Sequence, residues 1–284
     1  EEIRAAGIAD RLTLISFHHA QLRQARQLMP ELRVGALTYG AFADASATAG
    51  AVTLTLGGRV DRWRLSEGQQ RETVLATGAV LTTTDVAPRG GTEWTGRGGV
   101  AWRVAAPVTL RAAAYRGWRL PTLNELYRPF RVGADATAAN PALSPERLEG
   151  VDGGIRIAPA PGVSVEATLF HNRLAGAIAN VGVGRGPGTF PGAGFVAAGG
   201  VYRVRANLDA IRSTGIEVDA RAERGPLFAQ ASWSHVDPRV EAYGAAAALD
   251  GLRPALREHV HAAPAEHLLD HGGGVGVLAG EHLV

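Results

Sequence analysis

The stretch Arg116–Gly154 reads RGWRLPTLNELYRPFRVGADATAANPALSPERLEGVDGG. It opens as the end of an alternating strand, passes through a long polar loop shaped by Pro121 and Pro129, and closes as the start of another strand. The same pattern repeats on both sides. Upstream, Trp94–Val104 and Val108–Trp118 flank the short link Ala105–Pro107, which suits a hairpin turn. Downstream, Arg147–Ile157 and Val163–Leu174 flank the Pro-rich link Ala158–Gly162. Next, Ile211–Glu223 and Leu227–Val236 flank Arg224–Pro226. Within these segments polarity alternates. Val163, Val165, Ala167 and Leu169 interleave with Ser164, Glu166 and Thr168. Ile216, Val218, Ala220 and Ala222 interleave with Glu217, Asp219 and Arg221. In Ala51–Leu65, Val52, Leu54 and Leu56 share one parity, and Thr53 and Thr55 the other. The span from Phe42 to Val240 therefore reads as antiparallel β-structure.

Connection lengths alternate as well. The tight links take turns with Ser66–Gly91, Arg119–Glu146, Ile178–Ala210 and Asp237–Arg257. Short turns at one end and long loops at the other characterise outer-membrane barrels. There the charged parity faces a wet lumen and the apolar parity faces lipid, and pairing within a closed sheet satisfies the backbone. Alternating strands also suit a soluble β-sandwich. Periodicity alone leaves a membrane barrel and a soluble β-rich binding module both open.

Composition agrees with β-structure and excludes little. The chain has 284 residues, 46% hydrophobic, with 37 glycines that favour turns and strands over helices. Every basic residue is Arg, and the net charge of +2 is too small and too dispersed to call for nucleic acid. With no cysteine there is neither a disulfide nor a thiolate metal site. No apolar run reaches the length of a transmembrane helix, and a membrane barrel needs none. The Gly-rich segment Gly182–Gly200 lacks the Lys-Ser/Thr ending of a phosphate loop and reads as a flexible surface loop.

Arg119–Tyr127 (RLPTLNELY) followed by Ala139–Glu146 (ANPALSPE) resembles the barrel part of the TonB-dependent outer-membrane receptors. So do Tyr202–Ala220, with Asn207, Gly215 and Glu217, and then Ala231–Val236 and Leu249–Pro254. The resemblance runs from about Tyr39 to Pro254. It implies a mainly β fold: an antiparallel transmembrane β-barrel fragment of about eight strands, out of the roughly 22 of the full barrel. It also implies energy-coupled import of a scarce solute such as an iron–siderophore or cobalamin. The implied partners are outer-membrane lipid, the TonB complex of the intact receptor and a small-molecule or metal-chelate ligand. Neither a cofactor nor catalysis is expected. Extracellular loop candidates for ligand contact are Arg119, Asn124, Glu125, Tyr127, Arg128 and Arg131. The alternative for Tyr127 and Trp118 is a place in the interfacial aromatic girdle, and for Arg and Glu near strand ends, pairing across the lumen. Neither plug, TonB box nor terminal strand with an aromatic end is recognisable, so transport by this chain alone is not expected.

The two ends read differently. Residues 1–40 suggest a strand–helix–strand piece: Leu12–Phe17, an amphipathic Ala20–Met29 ended by Pro30, and Arg33–Leu37. Ser16, Phe17, Leu22 and Pro30 resemble part of the glycerophosphodiester phosphodiesterases, whose catalytic pairs have no counterpart here. Residues 256–284 form a His/Gly-rich tail, disordered or out of frame. Its His259, His261, His267 and His271 are irregularly spaced for zinc. The whole reads as a composite: a barrel fragment over 41–255 joined near Tyr39–Phe42 to a phosphodiesterase-like piece. The rival from another class is a degenerate phosphodiesterase with a β-rich appendage.

Overall fold

The computed structural model describes residues 35–66, 68–73 and 77–254. In chain order the strands begin β1 (Gly35–Ala49), β2 (Val52–Ser66), β3 (Gly68–Thr73), β4 (Val80–Val86), β5 (Arg89–Ala105) and β6 (Val108–Arg119). A short helix α1 (Leu123–Tyr127) follows. Then come β7 (Phe130–Val132), β8 (Asp135–Ala138), β9 (Glu146–Ala160), β10 (Val163–Ala175), β11 (Ile178–Arg185) and β12 (Gly188–Phe190). The last are β13 (Gly194–Val196), β14 (Val201–Asn207), β15 (Ala210–Arg224) and β16 (Leu227–Glu241), then a 3-10 turn at Gly244–Leu249.

Eight long strands make one antiparallel sheet in the order β1-β2-β5-β6-β9-β10-β15-β16. At one end four two-residue turns close the hairpins: Gly50–Ala51, Ala106–Pro107, Pro161–Gly162 and Gly225–Pro226. Gly50, Gly162 and Gly225 have positive φ, the conformation such tight turns demand. At the other end the chain leaves the sheet for the long excursions 67–88, 120–145 and 176–209. Prolines fall where a missing N–H is tolerated. Pro159 sits in the bulge where β9 and β10 lose register, and Pro238 lies in β16, an edge strand of the sheet. Among the described residues the sheet has two edges, β1 and β16, and is not closed.

The register decides which residues share a face. One row across all eight strands is Ala49, Val52, Trp102, Leu110, Ile155, Ala167, Val218 and Trp233, every member apolar. The next row is Thr48, Thr53, Ala101, Arg111, Gly154, Thr168, Glu217 and Ser234, and it is mostly polar. Successive residues of a strand point to opposite faces, so one face of the sheet is apolar and the other polar. The apolar face is uncovered: Leu56 is 68% exposed and Leu169 64%, with Leu54, Val60 and Trp102 also exposed. On the polar face Arg97 pairs with Asp44 at 2.9 Å, Arg111 with Glu166 at 2.5 Å, and Tyr115 donates to Asn172 at 2.8 Å.

Gly215 shows how tightly the polar face is fitted. A Cβ there would lie 2.5 Å from the Phe170 ring and 2.6 Å from the His235 carbonyl. Gly215→Ala is therefore expected to cost about 1–3 kcal/mol through overpacking. Urea unfolding checks this; an unchanged midpoint would mean that Phe170 swings aside freely.

One expectation about the ends changes here. Arg33–Leu37 was expected to close a strand–helix–strand piece, yet β1 starts at Gly35 and runs unbroken through Tyr39–Phe42, paired along its length with β2. Its pairing to β2 makes it part of the large sheet. The rest of the 1–34 piece and the histidine tail lie outside the described residues. Among the described residues no helix is long and apolar enough to cross a membrane.

Candidate functional site

The buried core sits at the long-loop end rather than in the sheet. The excursions 120–145 and 176–209 pair into a second, four-stranded sheet, β11-β14-β8-β7. Its central contact is parallel: Tyr202, Arg203 and Val204 of β14 face Ala136, Thr137 and Ala138 of β8. Ala136, Ala138, Val196 and Tyr202 form one small core, and Phe190 stacks on Tyr202 with ring centroids 4.5 Å apart. The Gly182–Gly200 segment, expected to be a flexible loop, is thereby paired. Gly188–Phe190 and Gly194–Val196 form a hairpin, and the buried Val196 anchors it.

Polar side chains tie the two loops together. Arg205, only 8% exposed, donates from Nη1 to the carbonyls of Asn124 and Arg128 and lies 5.0 Å from the Phe130 ring centre. Burial pushes its pKa down, and the charge of Glu125 pulls the other way. Asn207 accepts from the Ser144 amide at 2.9 Å and donates to the carbonyls of Ser144 and Gly176 at 3.1 and 2.6 Å. Asn140 donates to the Arg205 carbonyl and accepts from the Ala142 amide. The buried Glu146 accepts from the Ile178 amide at 2.7 Å and from Arg119. Asp135 accepts from the Val201 amide at 2.8 Å and pairs with Arg203 at 2.7 Å.

The six expected ligand contacts separate in this framework. Arg119 bridges Glu125 and Glu146, a strand-end pairing. Glu125 closes a capping box: its carboxylate accepts from the Thr122 amide at 2.6 Å, and its own amide donates to the Thr122 hydroxyl. Tyr127 is buried, 4% exposed, against Trp63, Leu65, Leu126 and Leu143, so it faces neither a ligand nor a membrane interface. Trp118, the other expected girdle aromatic, donates to the buried Asp61 at 3.1 Å. Arg131 is exposed and holds the Ala193 carbonyl. Asn124 and Arg128 lend their carbonyls to Arg205 and leave their side chains at the surface. Nearby, Val132 is 69% and Phe195 60% exposed. Asn124, Arg128 and Arg131 thus remain at the surface beside exposed apolar groups, on a platform fixed from below. This arrangement suits recognition of an anionic or aromatic solute. Among the described residues no cluster of His, Cys, Asp or Glu could hold a metal ion.

Sequence reasoning missed α1 and Arg205. The Thr122–Glu125 spacing is a capping-box signal that could have located the helix. Arg205 carries none, because its role depends on carbonyls about 80 residues away in the chain.

Burial raises the pKa of Glu125, but hydrogen bonds from Arg119 and Thr122 outweigh it and hold the carboxyl below its ordinary range. A depressed folded pKa means the contribution is complete above the unfolded value and lost as pH falls through the folded one. Thermal stability is expected to fall as pH drops below the ordinary glutamate range, and Glu125→Gln is expected to lack that part of the fall. An identical pH profile in the variant would contradict this.

An uncovered apolar face, a polar opposite face, tight turns at one end and interlocked loops at the other define a transmembrane β-barrel wall with a loop cap. Residues 33–259 match the TonB dependent receptor-like β-barrel, and the chain belongs to that family. It is a family of receptors, not of enzymes. The match begins before β1, and the phosphodiesterase resemblance of residues 1–40 finds no support. No curated protein matches the chain. Among solved structures, the chain is similar to the hemophore receptor HasR of Serratia marcescens, in complex with its hemophore HasA and heme. The identity is 20% and the TM-score 0.56, covering 71% of this chain and 34% of that one. It is also similar to the copper transporter OprC, at 19% identity and TM-score 0.55, covering 75% of this chain and 31% of the other. The chain spans about a third of the length of each.

Proposed function

We propose that the chain forms part of an outer-membrane receptor that imports a scarce solute such as an iron–siderophore or cobalamin, driven by the TonB complex. The observation that carries this reading is the row-by-row change of polarity across eight strands, with the interlocked loops all at one end. Lipid covers the apolar face, the polar face lines the lumen, and the loop cap faces outward. The ligand meets Asn124, Arg128 and Arg131, while Arg119, Glu125 and Tyr127 hold the loops in shape. The test is deletion of the encoding gene in its host, followed by uptake assays with radiolabelled ferric siderophores and cobalamin. Loss of uptake of one solute, restored by the gene and abolished again without TonB, supports the proposal. Unchanged uptake of every solute contradicts it.

A further inference from the structure

The apolar face ends, towards the loops, in a patch of uneven charge. Arg62 and Arg64 follow Leu54, Leu56 and Val60 at the same parity of β2, and both are exposed. The intervening Trp63 and Leu65 are buried on the other side against Tyr127 and Leu143, which fixes the outward direction of the two arginines. Neither forms an ion pair among the described residues. Beside them, Gly90 and Thr92 of β5 pair with Arg64 and Arg62. With Pro88 they help line an open depression of about 420 Å³. Tyr39 pairs with Arg62 on the other side and is 53% exposed. One step towards the belt, Arg116 of β6 lies 4.2 Å above the Trp94 ring, and Glu149 already neutralises it.

The rest of this face contrasts with the patch. Arg173 and Arg212, at the same end on β10 and β15, are answered by Asp209 and Glu241. At the turn-bearing end the outward parity carries Arg224 alone among the described residues. Two guanidiniums with no ion pair among the described residues thus stand at one interface, just above an apolar belt and between exposed aromatics. A guanidinium is a fork of donors suited to phosphate oxygens, and lipid below supplies the acyl chains.

We propose that Arg62 and Arg64, with the Gly90–Thr92 depression, bind the phosphate headgroup of an acidic glycolipid in the outer leaflet. The proposal rests on the reading that the sheet spans the outer membrane with its loops outward. The test uses the full chain in detergent, titrated with bisphosphorylated lipid A, with the same lipid dephosphorylated, and with inorganic phosphate. The phosphorylated lipid is expected to bind tightest, and its affinity to fall with added salt. The double variant Arg62→Gln/Arg64→Gln is expected to lose about tenfold or more in affinity, and Arg224→Gln to lose little. Equal binding of the two lipids, salt-independent binding, or an unchanged double variant overturns the proposal. So does inorganic phosphate bound as tightly as the lipid, which would make this a free-anion site. The lipid and salt comparisons use the unaltered protein, so they decide even if the double variant fails to fold. Failure of the membrane reading looks different: the chain then stays soluble as a monomer without detergent.

Discussion

Arg205→Ala is expected to destabilise the loop cap by about 3 kcal/mol and to open residues 120–145 and 176–209 to proteolysis together. The buried guanidinium satisfies the Asn124 and Arg128 carbonyls from one loop while belonging to a strand of the other. Its removal leaves the Arg128 carbonyl without that donor in a part-buried site, at about 1–3 kcal/mol, takes one of two bonds from the Asn124 carbonyl, which keeps the Arg128 amide, and removes the contact with Phe130. Arg205→Lys keeps the charge but not the planar fork, so it is expected to recover only part of the loss. Cleavage rates and thermal unfolding of the two variants check this. Loops that stay protected in Arg205→Ala would show that β8–β14 pairing and the remaining side-chain ties hold the cap without it.

Leu169→Arg carries the second large effect. Leu169 lies in the middle of β10, 64% exposed, on the apolar face. An arginine on the lipid side near the bilayer midplane costs about 2–4 kcal/mol. Thr168→Arg, one residue away on the polar face, is expected to cost far less, although it loses the bond from Arg111. Urea unfolding of both variants inserted in vesicles measures the difference. Equal effects would mean that the two faces meet the same medium.

The sheet was legible because its signals are local. Alternation in Val163–Leu174 and the short links at Ala105–Pro107 and Arg224–Pro226 located hairpins that the register bears out. Boundaries moved by a few residues, since a strand ends where pairing stops and not where alternation fades. The loop cap was far less legible. Its parallel β8–β14 contact joins segments more than 60 residues apart, and nothing local in Ala136–Ala138 announces it. The motif stretch Arg119–Glu146 pointed to the family and was expected to supply ligand contacts. Several of its polar residues make internal bonds instead: Asn140 and Glu146 fasten the two loops to one another, while Arg119 and Glu125 brace their own. Tyr127 could be read as a surface aromatic because much of its burial comes from Trp63 and Leu65 of β2, far away in the chain. Arg128 and Arg131 remain at the surface for the plain reason that their neighbours use only the backbone or one tip of the side chain.

The central claim is that the apolar face of the eight-stranded sheet meets lipid. The chain has no cysteine, so single cysteines can be placed along β10 from Ser164 to Leu169 and spin-labelled without background. In vesicles carrying the full chain, collision with oxygen should peak at Val165, Ala167 and Leu169. Collision with a water-soluble nickel chelate should peak at Ser164, Glu166 and Thr168. That period of two, with the two probes out of phase, is the predicted result. Water-like accessibility at all six positions would contradict the account and leave a soluble β-rich module in its place.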